Sequence, residues 1–262
     1  MIGQHARGTH IEHSHRGWVP VDIVSPRRSG QGSIMYLHGG AYVSGSIRSY
    51  RRLVTHLAAA TGCRVVAVDY RLAPEHPYPA AYADSLAVYT ALAAEAANQT
   101  IIIAGDSAGG GLAMATAVGL RDCGAPLPAG LVCIAPWSDL TCSGDSMRSR
   151  AGRERMLTPA GVAADARRYA AGAELRTPLI SPLFADLRGL PPMLIQVGED
   201  EILLDDSTRL AASARSAGVT VNLEVWPRLW HVWHLYAGLM PEADAAIGSI
   251  ADFVAARIRR QG

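Results

Sequence analysis

A serine, a late histidine and a crowd of carboxylates between them carry the chemistry this chain offers. Ser107 sits in Gly105-Asp106-Ser107-Ala108-Gly109, behind the β-branched run Ile101-Ile102-Ile103 and ahead of a small-residue run over 110–119. The pattern reads as strand, sharp turn and helix, with the serine at the apex. Glycines two positions either side are required because side chains there collide with the neighbouring strand and helix. The turn lifts the hydroxyl out of the sheet, and the helix start leaves free backbone amides beside it. Ser107 is therefore the expected nucleophile. A serine hydroxyl attacks poorly at neutral pH unless a base takes its proton and an acid orients the base. The expected base is His231, in the loop 226–233 after the last strand-like run. His234 competes with it but falls at the start of the following element. For the acid, Glu199, Asp200, Glu201, Asp205 and Asp206 crowd behind the strand-like run 193–197. Asp205 and Asp206 fall in a first helical turn, where carboxylates favour the helix dipole for structural reasons. Asp200 lies in the loop proper and is the expected acid.

Attack on an acyl carbonyl generates an oxyanion, which aimed backbone amides stabilise. Leu37-His38-Gly39-Gly40-Ala41 ends an earlier strand-like run, and its glycines let the backbone approach closely. The expected donors are the amides of Gly39, Gly40 and Ala108. His38 is expected to brace this loop through hydrogen bonds. Tyr42, Trp137, Ile202, Val232 and Leu235 are the expected walls of a substrate pocket.

These loops need a scaffold that brings them to one end. Runs at 33–37, 64–69, 100–104, 131–135, 193–197 and 220–225 read as strands, preceded by a hairpin over 10–15 and 18–24. Helical patterns fall at 48–61, 80–97, 110–123, 203–217 and 240–259. Strands that are continuously apolar and alternate with helices predict a mostly parallel sheet covered on both faces, of about eight strands. The hairpin supplies an antiparallel edge. The stretch 138–190 breaks the rhythm, with a polar segment over 148–156 and a helix from 159 to about 171. Long excursions of this kind serve as lids or binding loops. The expectation is one domain over 1–262 with a cap-like insertion at about 138–190.

The totals exclude several classes of function. Of 262 residues, 49% are apolar, which suits one large folded domain rather than a disordered chain. A net charge of +1 without long charged runs gives no footprint for nucleic acid or an anionic membrane surface. No segment reaches the ~18 apolar residues of a membrane span. The first residues lack the apolar stretch of a secretory signal. The four cysteines have no metal-like spacing, and Cys63 and Cys133 read as buried thiols, consistent with a reducing cytoplasm. No metal site is expected; the histidines at 5, 10, 13 and 15 read as an exposed polar stretch.

Together these motifs resemble the hormone-sensitive-lipase-like family of bacterial carboxylesterases, in the α/β-hydrolase superfamily. Asp69-Tyr70-Arg71-Leu72-Ala73-Pro74-Glu75, Pro77-Tyr78-Pro79, Pro136-Trp137-Ser138-Asp139-Leu140 and Ser181-Pro182-Leu183 are similar to that family too. The resemblance runs from about Val19 to the C-terminus. It implies an α/β-hydrolase fold, a Ser107–Asp200–His231 triad, no cofactor and small carboxylic esters of short to medium chain as substrates. Arg71 and Glu75 are expected to pair around Pro74, and Asp139 to order its own turn. The stretch 198–207 with His231-Val232-Trp233 is similar to a branch that includes monoterpene lactone hydrolases, so a lactone is the alternative substrate. Two departures stand out. Ala41 replaces the family's third glycine. Helical segments ahead of the first strand usually form half of the cap, whereas 37 residues precede His38 here. A reduced cap is expected, with a more open site or one covered by a second copy in a homodimer.

Overall fold

A computed structural model describes residues 5–27, 30, 32–95 and 100–259. Eight strands form one sheet in the order β1-β2-β4-β3-β5-β6-β7-β8. They are β1 (Thr9–Arg16), β2 (Val19–Pro26), β3 (Ser33–Leu37), β4 (Arg64–Val68), β5 (Ile101–Asp106), β6 (Gly130–Ile134), β7 (Met193–Gly198) and β8 (Val221–Trp226). The β1–β2 hairpin lies antiparallel on β4, and every other pairing is parallel. The helices are α1 (Arg51–Thr61), α2 (Ala80–Glu95), α3 (Ala108–Asp122), the short α4 (Ser146–Ser149), α5 (Pro159–Ala170), α6 (Leu204–Ser216) and α7 (Pro241–Ile258).

Continuous apolar strands are explained by the two layers they serve. Met35, Leu37, Ile101, Ile103, Leu131, Cys133, Met193 and Ile195 face the layer of α2, α3 and α6. Their neighbours Ile34, Tyr36, Ile102, Ala104, Val132, Ile134 and Leu194 face the layer of α1 and α7. Successive side chains point to opposite faces, so a strand buried on both sides must be apolar throughout.

Parallel register sets where the chemistry can sit. Leu37 pairs with Gly105, Asp106 with Ile134, and Gly198 with Trp226. The loops after β3, β5, β7 and β8 therefore emerge at one end of the sheet, where open α/β sheets place ligands. Those loops carry residues 38–42, 107, 199–203 and 227–232.

Two local readings are corrected. The helix expected from residue 48 begins at Arg51, because Ser46 and Ser49 close a turn through Ser49 Oγ to the Ser46 carbonyl at 2.8 Å. Arg71 does not pair with Glu75; it grips the buried Asp84 of α2, with Nη2 to Oδ1 at 2.7 Å. The expected continuation of α2 to residue 97 lies outside the described residues. Asp139 does order its turn, accepting from the Thr141 amide at 2.9 Å and from both hydroxyls of Thr141 and Ser143. Among the described residues no helix is long and apolar enough to cross a membrane.

Candidate active site

Ser107 stands between β5 and α3 with φ 53° and ψ −122°, a sparsely populated conformation that costs a non-glycine residue about 1–3 kcal/mol. Hydrogen bonds hold it there. Its amide donates to the Ile134 carbonyl at 2.8 Å, and its own carbonyl accepts from Trp137 N at 2.9 Å and Gly110 N at 3.0 Å. The flanking glycines are steric necessities: a Cβ on Gly109 would strike the carbonyls of Leu37 and His38, and one on Gly105 the carbonyl of Gly109.

The Ser107 hydroxyl donates to His231 Nε2 at 2.9 Å, and His231 Nδ1 donates to Glu201 Oε2 at 2.7 Å. Glu201, not Asp200, therefore orients the histidine. Gly198 ends β7, and its amide donates to Glu201 Oε1 at 2.7 Å, which fixes the carboxylate from the strand side. The Glu201 side chain is buried beneath His231, whereas Asp200 turns outward to Arg153 at 3.4 Å. The other acids of the crowd have structural partners. Glu199 accepts from the Arg228 amide, Asp205 from the Ser146 amide, and Asp206 from the amides of Ser138 and Asp139. A signal for the acid was present in the sequence: Glu201 opens the apolar run Ile202-Leu203, both buried, and is drawn inward with it.

Burial would pull His231 below an ordinary histidine, but the charge of Glu201 and its hydrogen bond outweigh burial and leave the imidazole raised above 6.5. Burial raises Glu201 in turn. His234 is excluded as the base. Burial and the neighbouring His231 drive it down to about 3, and its Nε2 donates to Gln196 Oε1 at 2.9 Å.

The loop after β3 corrects a second expectation. The Gly39 amide is not free, because it donates to Asp106 Oδ1 at 3.0 Å. In this loop the amides of Gly40, Ala41 and Tyr42 have no acceptor among the described residues, and neither has that of Ala108; of the three loop residues, Gly40 and Ala41 line the cavity beside Ser107. Ala108 is the first residue of α3, where an N–H has no intrahelical partner. Ala41 thus supplies an amide at the place where the family resemblance calls for glycine. Its φ of 55° and the 64° of Tyr42 put two consecutive non-glycine residues in the left-handed region.

Asp106, which sequence reasoning passed over, ties this loop to the serine strand. Fully buried, it accepts from Tyr36 Oη at 2.7 Å, Tyr50 Oη at 2.9 Å and the Gly39 amide. Burial pushes its carboxyl up to about 6 even though all three donors favour the charged form. His38 braces the same loop, Nδ1 donating to the Gly39 carbonyl at 2.7 Å while its ring stacks on Tyr70.

A cavity of about 210 Å³ opens onto Ser107 and His231. Of the expected walls, Trp137, Val232 and Leu235 line it. Tyr42 does not; it is buried in a stack with Tyr169, ring centroids 3.8 Å apart. Ile202 does not either; its neighbour Leu203 takes the place. The excursion between β6 and β7 contributes Met156, Leu157, Val162 and Asp165.

Comparison with known proteins agrees with this fold. A family model described as alpha/beta hydrolase fold matches residues 34–235. An acetyl-hydrolase of Streptomyces hygroscopicus is 46% identical over 232 residues, covering 88% of this chain and 78% of that protein. An esterase of Acinetobacter venetianus is 40% identical over 222 residues, covering 84% and 73% respectively. The crystal structure of an esterase from the bacterial hormone-sensitive lipase family superposes with a TM-score of 0.95 at 41% identity, covering 98% of this chain and 87% of that one. Fold, motifs and relatives converge: the chain belongs to the α/β-hydrolase family, among the hormone-sensitive-lipase-like esterases.

Proposed function

We propose that this carboxylic ester hydrolase works through Ser107 as nucleophile, His231 as general base and acid, and Glu201 as the orienting carboxylate. The observation that carries the reading is the unbroken pair of hydrogen bonds from Ser107 Oγ to His231 and from His231 to Glu201. A carboxylate can only accept, so Nδ1 carries the imidazole proton and Nε2 is free to take the hydroxyl proton. Ser107 then adds to the ester carbonyl while the Gly40, Ala41 and Ala108 amides receive the oxyanion. His231, now positively charged beside Glu201, returns the proton to the departing alcohol. Water repeats the sequence on the acyl-enzyme and releases the acid.

The substrates are esters of small acyl groups, short to medium in chain length. The cavity falls below the roughly 300–1,000 Å³ of sites for drug-sized ligands. Apart from Asp165, its outer walls are mainly apolar, which suits a hydrocarbon chain. The names of relatives that act as acetyl-hydrolases point the same way.

The test is turnover of p-nitrophenyl esters from acetate to decanoate by wild type and Ser107→Ala. The variant should melt like wild type and lose activity by about 10⁴-fold or more, as nucleophile removal does in serine hydrolases. Retained turnover would sink the serine mechanism. In wild type the rate should fall toward decanoate; a rate that climbs to the longest chain would contradict the small-acyl assignment.

A further inference from the structure

The two strained residues of the loop after β3 need something to hold them. Ala41 and Tyr42 both have positive φ, which neither side chain favours. The loop's own hydrogen bonds, Val43 N and Ser44 N to the Gly40 carbonyl at 3.0 and 2.9 Å, close the turn beyond them. The Tyr42 carbonyl accepts from the Ala73 amide at 2.8 Å. The Tyr42 ring is clamped by a different element. It lies flat on Tyr169, centroids 3.8 Å apart and planes within 8°. Tyr169 belongs to α5 of the excursion, and Tyr78 packs edge-on against it at 6.0 Å while donating its amide to the Tyr169 carbonyl at 2.8 Å. Both stacked rings are about 1% exposed.

The helix that carries Tyr169 also walls the cavity. Val162 and Asp165 line it, and Val162, Ala166 and Tyr169 recur at the three- and four-residue spacing of one helix face. The Tyr169 hydroxyl has no hydrogen-bond partner among the described residues. What the position uses is therefore the ring and not its oxygen.

We infer that Tyr169 is a positioning residue for the oxyanion loop: its ring, stacked on Tyr42, holds the Ala41–Tyr42 backbone in the left-handed conformation that presents the Gly40 and Ala41 amides to the cavity. The inference rests on the reading of those amides as oxyanion donors and Ser107 as nucleophile. On this account the excursion does more than cover the site. Its helix sets the electrostatic half of the catalytic apparatus through an aromatic stack.

The experiment compares Tyr169→Phe with Tyr169→Leu, each first shown to be folded by its melting curve. Phenylalanine keeps the face and should leave kcat within about twofold of wild type. Leucine keeps apolar bulk without the stack and should lower kcat by about 10- to 100-fold, less than the 10²–10³ lost with an oxyanion donor itself. KM should stay within about threefold, and affinity for a trifluoromethyl ketone analogue of the tetrahedral intermediate should fall in parallel with kcat. If Tyr169→Leu does not fold, Tyr42→Leu removes the same stack from the other ring and is expected to give the same split. A leucine variant with unchanged kcat, a loss confined to KM, or a phenylalanine variant as impaired as leucine would overturn the inference. Ser107→Ala in the same assay separates the two levels: an inactive Ser107→Ala with an unaffected Tyr169→Leu sinks the inference alone. Turnover by Ser107→Ala sinks the reading beneath it.

Discussion

From the loop after β7 the Glu201 carboxylate extends under His231 and is held from behind by the Gly198 amide. Because His231 must be neutral to accept the serine proton, its raised affinity for protons has a visible consequence. The acidic limb of kcat/KM is expected to have its midpoint above 6.5, the ordinary histidine value, with activity rising as pH rises through it. Replacing Glu201 by glutamine removes the charge that raises the imidazole, so the limb should move to lower pH in the residual activity. A wild-type midpoint well below 6.5 would contradict this electrostatic account. At this scale the serine and the histidine were legible because local pattern places them: a glycine-flanked turn after a strand, and a loop after the last strand. The acid was less so: five carboxylates share one short stretch, and the one cue that separates them is the apolar pair Ile202-Leu203 directly behind Glu201. Gly39 was misjudged for another reason. Its amide is consumed by Asp106, a contact between residues far apart in the chain.

Between elements, the start of α3 lies backbone against backbone on the end of β3. No side chain fits at Gly109, where Leu37 and His38 present their carbonyls. Gly109→Ala must push two central elements apart, at a cost of roughly 1–3 kcal/mol or more, and should lower both the melting temperature and the yield of active enzyme. Gly152, on the excursion, has open space where its Cβ would go, and Gly152→Ala should change neither. Equal melting temperatures for the two variants would refute this view of the elbow. The strands of the sheet were legible from sequence because burial on both faces leaves a continuous apolar signature. Helix starts were less so, as α1 shows, where serine side chains close a turn that periodicity does not register. The excursion yielded its helix but not its role, since nothing local to Tyr169 announces a stack on Tyr42.

Over the whole molecule, buried acids set how stability responds to pH. Burial and the nearby Asp139 push Asp206 up to about 8, although two backbone amides bind its charged form. Burial likewise lifts the thiols of Cys133 and Cys142 to about 12. Each of these groups holds its proton more tightly folded than unfolded. Their stabilising contribution is therefore complete below the unfolded pKa and is lost progressively as pH rises from there to the folded value, for Asp206 between about 4 and about 8. The melting temperature should fall between pH 7 and 8, and Asp206→Asn should flatten that slope. Asparagine keeps the oxygen that accepts from Ser138 and Asp139 and cannot ionise. Below 6.5 that slope is opposed, because His38 and His234 are held neutral by burial while the unfolded chain takes up their protons, against the protons that the fold retains on Asp106 and Asp206. A melting temperature that rises steadily from pH 7 to 8 would contradict these assignments. The same fold that raises these groups delivers four loops to one end of the sheet, and the relay across them is the centre of the account. Its most direct test is the turnover of one soluble acetate ester by Glu201→Gln and Asp200→Asn side by side. Glu201→Gln should lose about 10³- to 10⁴-fold in kcat, as a serine hydrolase does when its orienting carboxylate is neutralised. Asp200→Asn should stay within about threefold of wild type, since it touches only Arg153 on the surface. The opposite ranking would show that Glu201 is not the acid of the relay.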